Sequence, residues 1–183
     1  MTRLTVVGGV ILISVASWCA AASASDSCVE EDALVPNTTL TLTSAVKNHD
    51  GAFVGDFRLQ NLRIARGIVI PARKASESFY IDYPDATVQF RDLNGTWTTL
   101  ANHLPGTFGP SPDALKVGLH SMASFKVELF SVQLGNLSGT DFRLAIRLAD
   151  RSCIVSQPFR AYPDRASITK IESLTTDGSA SRN

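Results

Sequence analysis

The chain has little of several residues that mark common protein classes. It holds three cysteines and three histidines in 183 residues, and its 17 basic side chains equal its 17 acidic ones. A balanced charge argues against a general nucleic-acid binder, which needs an excess of lysine and arginine to neutralise phosphates. The sequence has no Cys-x-x-Cys pair and no local Cys/His cluster, so we expect neither a redox pair nor a zinc site.

Motifs that would anchor catalysis or bind a metal are also missing. His49, His103 and His120 each stand alone in a turn or loop context, and no nucleophile elbow, zinc-protease motif or EF-hand spacing occurs. Asp82 and Asp85 indicate a solvated strand end and turn rather than two carboxylates facing across a cleft. We therefore expect no enzyme and no cofactor. Calcium held by Asp and Asn in loops remains an open alternative.

The amino-terminal residues predict export. Arg3, an apolar run from Leu4 and the small residues Ala22-Ser23-Ala24 are typical of a secretory signal peptide over residues 1–24. An uncleaved anchor is the alternative, because residues 4–25 carry no charge and are long enough to span a bilayer. No later run has that length, so we expect no transmembrane span after processing and a secreted or periplasmic location. Loss of Arg3 leaves 16 basic against 17 acidic side chains, a net charge of −1.

The remaining cysteines predict one disulfide. Cys19 leaves with the signal peptide, and Cys28 and Cys153 are then an even pair in an exported chain. Their bond would close a loop that spans most of the chain. The chain-entropy model assigns such a loop roughly 4 to 5 kcal/mol of stabilisation.

Apolar residues in the rest of the chain recur with a period of two. In residues 142–148 the arginines lie on one side and Phe, Leu and Ile on the other, and residues 123–134 alternate in the same way. About nine such segments, separated by turns, predict an all-β fold: an antiparallel β-sandwich of about seven to nine strands over residues 25–162. Residues 163–183 are polar and predict a flexible tail, with residues 168–174 as an alternative short element.

Three local features make sharper predictions. Pro71 is expected to stop a strand over residues 68–70. The shift of phase at Gln60-Asn61 indicates either a β-bulge or a strand end. Asn94-Gly95 predicts a two-residue type I′ hairpin turn between residues 87–91 and 97–100.

The run from Leu115 to Leu129 has a sequence pattern that is similar to one found in known β-sandwich modules. Its pattern, apolar–x–x–Gly followed seven residues later by Phe–x–Val–x–Leu, resembles an edge of bacterial immunoglobulin-like and fibronectin-like modules. The resemblance implies an immunoglobulin-like sandwich. Antibody-type domains join strand B to strand F by a disulfide, whereas the bridge expected here would join the amino-terminal segment to the last strand.

Two groups of residues are candidates for binding. The segment from Phe57 to Ser76 holds five cations and no acid. It predicts either a patch that binds an anionic glycan, lipopolysaccharide or an acidic partner, or cations spread over a solvent-exposed sheet face. Aromatic residues form the second group, with core packing as the alternative. The candidate binding residues are Tyr80, Tyr83, Trp97, Arg63, Arg66, Arg73 and Lys74. Asn37, Asn94 and Asn136 begin glycosylation sequons, which matter only in a glycosylating host.

These features favour an exported, non-enzymatic β-sandwich protein of the cell envelope. We expect a binding or accessory module whose partner is another envelope or extracellular protein, or a glycan. The alternatives are a small secreted hydrolase or carbohydrate-active protein, and a structural subunit of the fimbrial type.

Overall fold

The computed structural model describes Cys28 and residues 34–49, 51–82, 85–100, 113–130, 140–164 and 167–174. Within these residues it contains strands and no helix. The strands are β1 (Thr38–Lys47), β2 (Phe53–Asn61), β3 (Ile68–Ala75), β4 (Ser78–Tyr80), β5 (Ala86–Arg91), β6 (Trp97–Thr99), β7 (Asp113–Val117), β8 (Ser121–Phe130), β9 (Asp141–Arg147), β10 (Cys153–Val155), β11 (Phe159–Asp164) and β12 (Ser167–Ser173). The predicted signal peptide and residues 175–183 lie outside the described residues.

Two sheets build the fold, and the predicted all-β sandwich is confirmed. The first sheet has the order β1-β2-β8-β4-β3-β7, and the second has the order β12-β11-β9-β5-β6 with β10 paired to β9. Neighbouring strands are antiparallel except for β4 and β8, which are parallel. The twelve strands of the described residues exceed the predicted seven to nine, because the predicted last strand is divided into β10 and β11 and β12 follows in the expected tail.

The period of two in the sequence becomes the inward and outward faces of the strands. In β2, Phe57 and Leu59 are buried and Arg58 between them is exposed. In β9, Phe142 and Leu144 are buried while Arg143 is half-buried on the other face. Because successive side chains of a strand point to opposite faces, this alternation is what orients each sheet toward the core.

Four phenylalanines join the sheets at the centre of the core. Phe57 and Phe125 of the first sheet stack with ring centroids 6.0 Å apart, and Phe142 and Phe159 of the second stack at 6.1 Å. Phe57 also meets Phe159 edge-on at 6.2 Å, across the two sheets. All four side chains are fully buried, and each such burial contributes about 1.5–3 kcal/mol.

One side of the sandwich is closed by β1 and the disulfide. Leu40 of β1 bridges Ser156, and the Gln157 N–H donates to the Leu40 carbonyl at 2.8 Å, so β1 touches both sheets. The predicted bond between Cys28 and Cys153 is present, with their Cα atoms 5.4 Å apart. Both cysteines are buried, and they cover the outer face of the second sheet at Ala145. The amino-terminal segment is thereby tied to β10.

Pro71 does not stop its strand, contrary to the prediction. It lies inside β3, opposite Ala114 of β7, and the pairing of β3 with β4 begins only at Arg73. At Pro71 the strand therefore has a ladder partner on one side alone. Because proline lacks only an N–H, it is tolerated where that group would have no ladder acceptor.

The predicted two-residue turn at Asn94-Gly95 is wrong. The ladder between β5 and β6 ends where Arg91 pairs with Trp97, and only Gly95 of the two turn residues takes a positive φ, of 84°. The connection is a longer loop with a left-handed glycine. Asp92 explains why the loop is longer than two residues, because its Oδ1 accepts the N–H groups of Asn94 at 2.9 Å and Thr96 at 2.8 Å.

The second sheet continues past the predicted domain boundary at residue 162. β11 runs to Asp164, and β12 pairs with it from Ser173 opposite Phe159 to Ser167 opposite Asp164. The reason is Ile171, which is buried and joins the core cluster. The part of the expected flexible tail from residue 167 to 174 therefore belongs to the sandwich. The Gln60-Asn61 phase shift, for which two interpretations were open, marks the end of β2.

Replacing Gly55 by alanine should lower the free energy of unfolding by about 1–3 kcal/mol, because the core already occupies the space of the added methyl. A Cβ there would lie 2.8 Å from the Phe57 ring, 2.9 Å from Leu129 Cδ1 and 3.0 Å from Leu42 Cδ1. Urea denaturation followed by circular dichroism measures the change. Gly118→Ala is the control and should cost clearly less, because this glycine is exposed and a Cβ there would lie 3.2 Å from the movable Ser121 hydroxyl rather than against the core. An unchanged midpoint for Gly55→Ala would contradict this packing.

Replacing both Cys28 and Cys153 by alanine should lower the free energy of unfolding by about 2–5 kcal/mol. The bond joins residues 125 apart in the sequence, so its loss frees nearly the whole unfolded chain. Urea midpoints of the double variant and of the unmodified chain, with and without reductant, make the comparison. The reduced unmodified chain should match the double variant, and a variant as stable as the oxidised chain would refute a stabilising role.

Candidate functional site

The basic segment of the sequence is divided among three places in the fold. Arg58 is exposed on the outer face of β2, in the middle of the first sheet. Arg63 and Arg66 lie in the loop that follows β2, whereas Arg73 and Lys74 lie near the other end of β3. Residues 67–72, most of them in β3, separate the last two pairs. The five cations therefore do not form one patch.

Asn61 holds the loop that carries Arg63 and Arg66. Its side chain is fully buried at the last position of β2. Its Nδ2 donates to the carbonyl oxygens of Arg66 at 3.1 Å and Gly118 at 2.9 Å, and its Oδ1 accepts the Arg63 N–H at 3.1 Å. One amide thus fixes the β2–β3 loop and joins it to the β7–β8 turn. The Leu62 N–H adds a bond of 2.9 Å to the Asn37 carbonyl.

Four large apolar side chains are exposed at this end of the sandwich. Ile64 is 82% exposed and Leu62 is 45% exposed in the β2–β3 loop, and Leu119 is 47% exposed in the β7–β8 turn. Met122, at the start of β8 and opposite Gln60, is 62% exposed. We call these four residues, together with Arg63 and Arg66, the apolar–basic end.

The β9–β10 turn contributes charge to the same end. The pKa of Asp150 is lowered mainly by hydrogen bonds from Ser152, and the positive charge of Arg63 lowers it further. The turn lies at this end because the Val35 N–H donates to the Cys153 carbonyl at 2.8 Å, while the Asn37 carbonyl accepts the Leu62 N–H at 2.9 Å. Arg151, in the turn itself, is exposed and takes a positive φ of 68°, and His120 in the β7–β8 turn is also exposed, with a φ of 50°.

Arg73 and Tyr80, both predicted binding residues, contact each other on the first sheet. The Arg73 Nε donates to Asp82 Oδ2 at 3.0 Å, and its guanidinium lies 5.0 Å from the centroid of the Tyr80 ring. Lys126 is next across the sheet and forms an ion pair of 3.0 Å with Asp56. These contacts make a polar row across the outer face of the sheet. They favour a structural role for Arg73 and Tyr80, since the Arg73 guanidinium already contacts both Asp82 and the Tyr80 ring.

Of the other sequence candidates, Asn37 borders the apolar–basic end, and Lys74 and Asn94 lie apart from it. Lys74 is exposed, and its ammonium lies 5.9 Å from the Phe79 ring centroid. Asn37 and Asn94 are both exposed, Asn37 beside Leu62 and Asn94 in the β5–β6 loop. Tyr83 and Asn136 lie outside the described residues.

Trp97 packs against a half-buried arginine on the outer face of the second sheet. The Arg143 guanidinium lies 4.5 Å from the Trp97 ring centroid. Arg143 Nε donates to Gln89 Oε1 at 2.7 Å, and its Nη2 donates to the Cys28 carbonyl at 3.4 Å. A cation held over an aromatic face is stabilising, so these contacts favour packing as the role of Trp97. Gln89 is fully buried, and its Nε2 has no hydrogen-bond partner among the described residues.

The apolar–basic end contains residues that sequence analysis missed. Leu62 and Ile64 alternate after the phase shift, and the two open interpretations, a β-bulge or a strand end, did not decide whether they lie in the strand or beyond it. The useful signal was the shift itself: Asn61 is a polar residue at an inward position, which indicates that the strand ends there and the apolar residues beyond it leave the core.

Comparisons with known proteins leave the chain without an assigned relative. No family model, no curated protein and no solved structure matches it. Among the described residues there is no helix long and apolar enough to cross a membrane. The same part of the chain holds no group of three or more His, Cys, Asp or Glu residues placed to bind a metal ion.

Asp85→Asn should stabilise the fold at neutral pH. Partial burial raises the pKa of Asp85, the Arg147 charge opposes this, and Asp82 adds to it. An acid with a raised pKa in the folded state contributes stability below its unfolded pKa and loses it as the pH rises through the folded pKa. The variant should therefore be the more stable at pH 7 and equal to the unmodified chain below about pH 3. Urea midpoints at both pH values test this, and equal midpoints at pH 7 would contradict it.

Proposed function

We propose that this chain is an exported, non-enzymatic binding module of the cell envelope, with an immunoglobulin-like architecture. The signal-peptide pattern of residues 1–24 supports export, and a disulfide is common in exported proteins. The apolar–basic end is its recognition surface. Binding residues often lie on loops that a rigid scaffold positions, and this end consists of loops at one end of a β-sandwich.

The exposure of the four apolar side chains carries the proposal. Leu62, Ile64, Leu119 and Met122 lie on loops and strand starts that the Asn61 side chain joins. Exposed apolar side chains that are scattered singly are ordinary, whereas clustered ones mark interaction sites. The loops are also held in place before binding, so less conformational entropy is lost when a partner binds.

The arginines add selectivity for the partner. Arg63 and Arg66 flank Ile64 within the same loop, and interfaces are enriched in arginine and methionine relative to the rest of a protein surface. A partner must therefore offer negative groups around an apolar region. No observation in the described residues favours the secreted hydrolase or the fimbrial-type subunit over this function.

Photo-cross-linking in the natural host tests the proposal. One variant carries a photoreactive residue in place of Ile64, and the control carries it in place of Leu93, which is fully exposed in the β5–β6 loop. After irradiation in the envelope, mass spectrometry should identify a specific adduct at position 64 and none at position 93, because only the first lies in the recognition surface. Met122→Asp in the same chain should reduce the adduct at position 64. Equal adducts at positions 64 and 93, or no adduct at either, would contradict the proposal.

A further inference from the structure

We infer that the apolar–basic end docks on an anionic lipid surface, with its arginines at the phosphate groups and its apolar side chains in the boundary with the acyl chains. This inference rests on the proposed function and names the partner of the same surface. It concerns peripheral contact by loops and involves no segment that crosses the bilayer.

The first argument is the position of the apolar side chains. Ile64 lies in a loop beyond the end of β2, and from residue 64 to residue 67 every side chain of that loop is exposed. Leu119 lies in the adjacent turn, which Asn61 joins to the loop through the Gly118 carbonyl. Apolar groups on neighbouring loop tips can enter the interfacial region together. Peripheral proteins bind with a strength that scales with the apolar area they bury there.

The second argument is charge complementarity. Arg63 and Arg66 lie on either side of Ile64, and Arg66 is exposed while Arg63 is half-buried. Arg151 is exposed in the β9–β10 turn at the same end, where Asp150 offsets part of this positive charge. A guanidinium matches phosphate with two parallel hydrogen bonds. A long arginine side chain can also lie along apolar groups while its charged head remains at the headgroup level. The apolar and charged groups of this end would thus meet a lipid surface at the depths that each prefers.

The third argument comes from an exposed apolar residue elsewhere in the molecule. Leu93 is more exposed than Ile64, but it follows Asp92, and the nearby Arg91 already donates to the Gly95 carbonyl at 3.2 Å. The β5–β6 loop thus lacks the flanking arginines of the β2–β3 loop. Exposure and positive charge coincide at the apolar–basic end and not at this loop.

A lipid surface fits this arrangement better than a protein does. Exposed apolar side chains of this end project from separate connections, Ile64 from the β2–β3 loop and Leu119 from the β7–β8 turn, whereas a typical protein interface buries about 800 Å² on each partner against one matched surface. A fluid bilayer adapts to separate side chains without a matching cavity. A protein partner is the competing outcome, and the experiment below is arranged to reveal it.

Flotation with vesicles tests the inference on the chain as its host exports it. Vesicles of phosphatidylcholine alone are compared with vesicles in which about one third of the lipid is phosphatidylglycerol, so that surface charge is the variable. The chain should float with the anionic vesicles and remain behind with the neutral ones. High salt should reduce the bound fraction, because screening weakens the attraction of exposed cations to the surface.

Variants separate the two components of binding. Arg63→Gln and Arg66→Gln should each weaken binding to anionic vesicles about fivefold, the factor that corresponds to about 1 kcal/mol per basic residue. Ile64→Asp should weaken binding at least as much, because it removes apolar area and adds a negative charge. Leu93→Asp is the matched control and should leave binding unchanged. Equal thermal midpoints for all four variants and the unmodified chain show that each remains folded.

Two results would overturn the inference: no flotation with anionic vesicles, or flotation that Ile64→Asp and the arginine variants leave unchanged. If the chain does not float with anionic vesicles but the photoreactive residue at position 64 captures a protein, the lipid inference is refuted and the proposed function stands. If both experiments fail, the apolar–basic end is not a recognition surface and both proposals fall.

Discussion

The contact between the two pairs of phenylalanines is the interaction on which the rest of the structure depends. Phe57 and Phe125 come from one sheet, Phe142 and Phe159 from the other, and the edge-on contact of Phe57 with Phe159 joins them. With this contact in place the inward face of each strand is fixed, and so is the register of its neighbours, because a slip of one residue would turn every core side chain outward. The loops at both ends are then positioned by the sheets that carry them.

Asn61 marks the transition from core to loops. It occupies an inward position, where an unpaired amide would be costly, and it avoids that cost by bonding to the main chain of two loops. The same bonds hold Leu62 and Ile64 outside the core. A buried polar group is thus what places apolar side chains in solvent at this end, and local structure and the candidate recognition surface have one physical origin.

The sequence was sufficient for the features that depend on local pattern. The alternation in β2, β8 and β9 predicted buried faces that the structure confirms, and the cysteine pair was predicted from its number and compartment. Features set by distant partners were not predictable. Pro71 stays in a strand because β4 pairs farther along. Arg143 of β9 lies over Trp97 of β6 only because both strands pair with β5, which is distant in sequence from β9. The apolar–basic end also depends on distant partners, since the long-range hydrogen bond of Asn61 joins the turn of Leu119 to the loop of Ile64.

The disulfide has a mechanical consequence. Cys28 is bonded to Cys153, so tension applied to the residues before Cys28 passes directly into β10 and its partner β9. β1 lies on the chain between the two bonded cysteines and is outside this path of force. Pulling on the amino-terminal segment would therefore load the centre of the second sheet, and the strand that closes the sandwich would not be peeled from its edge first.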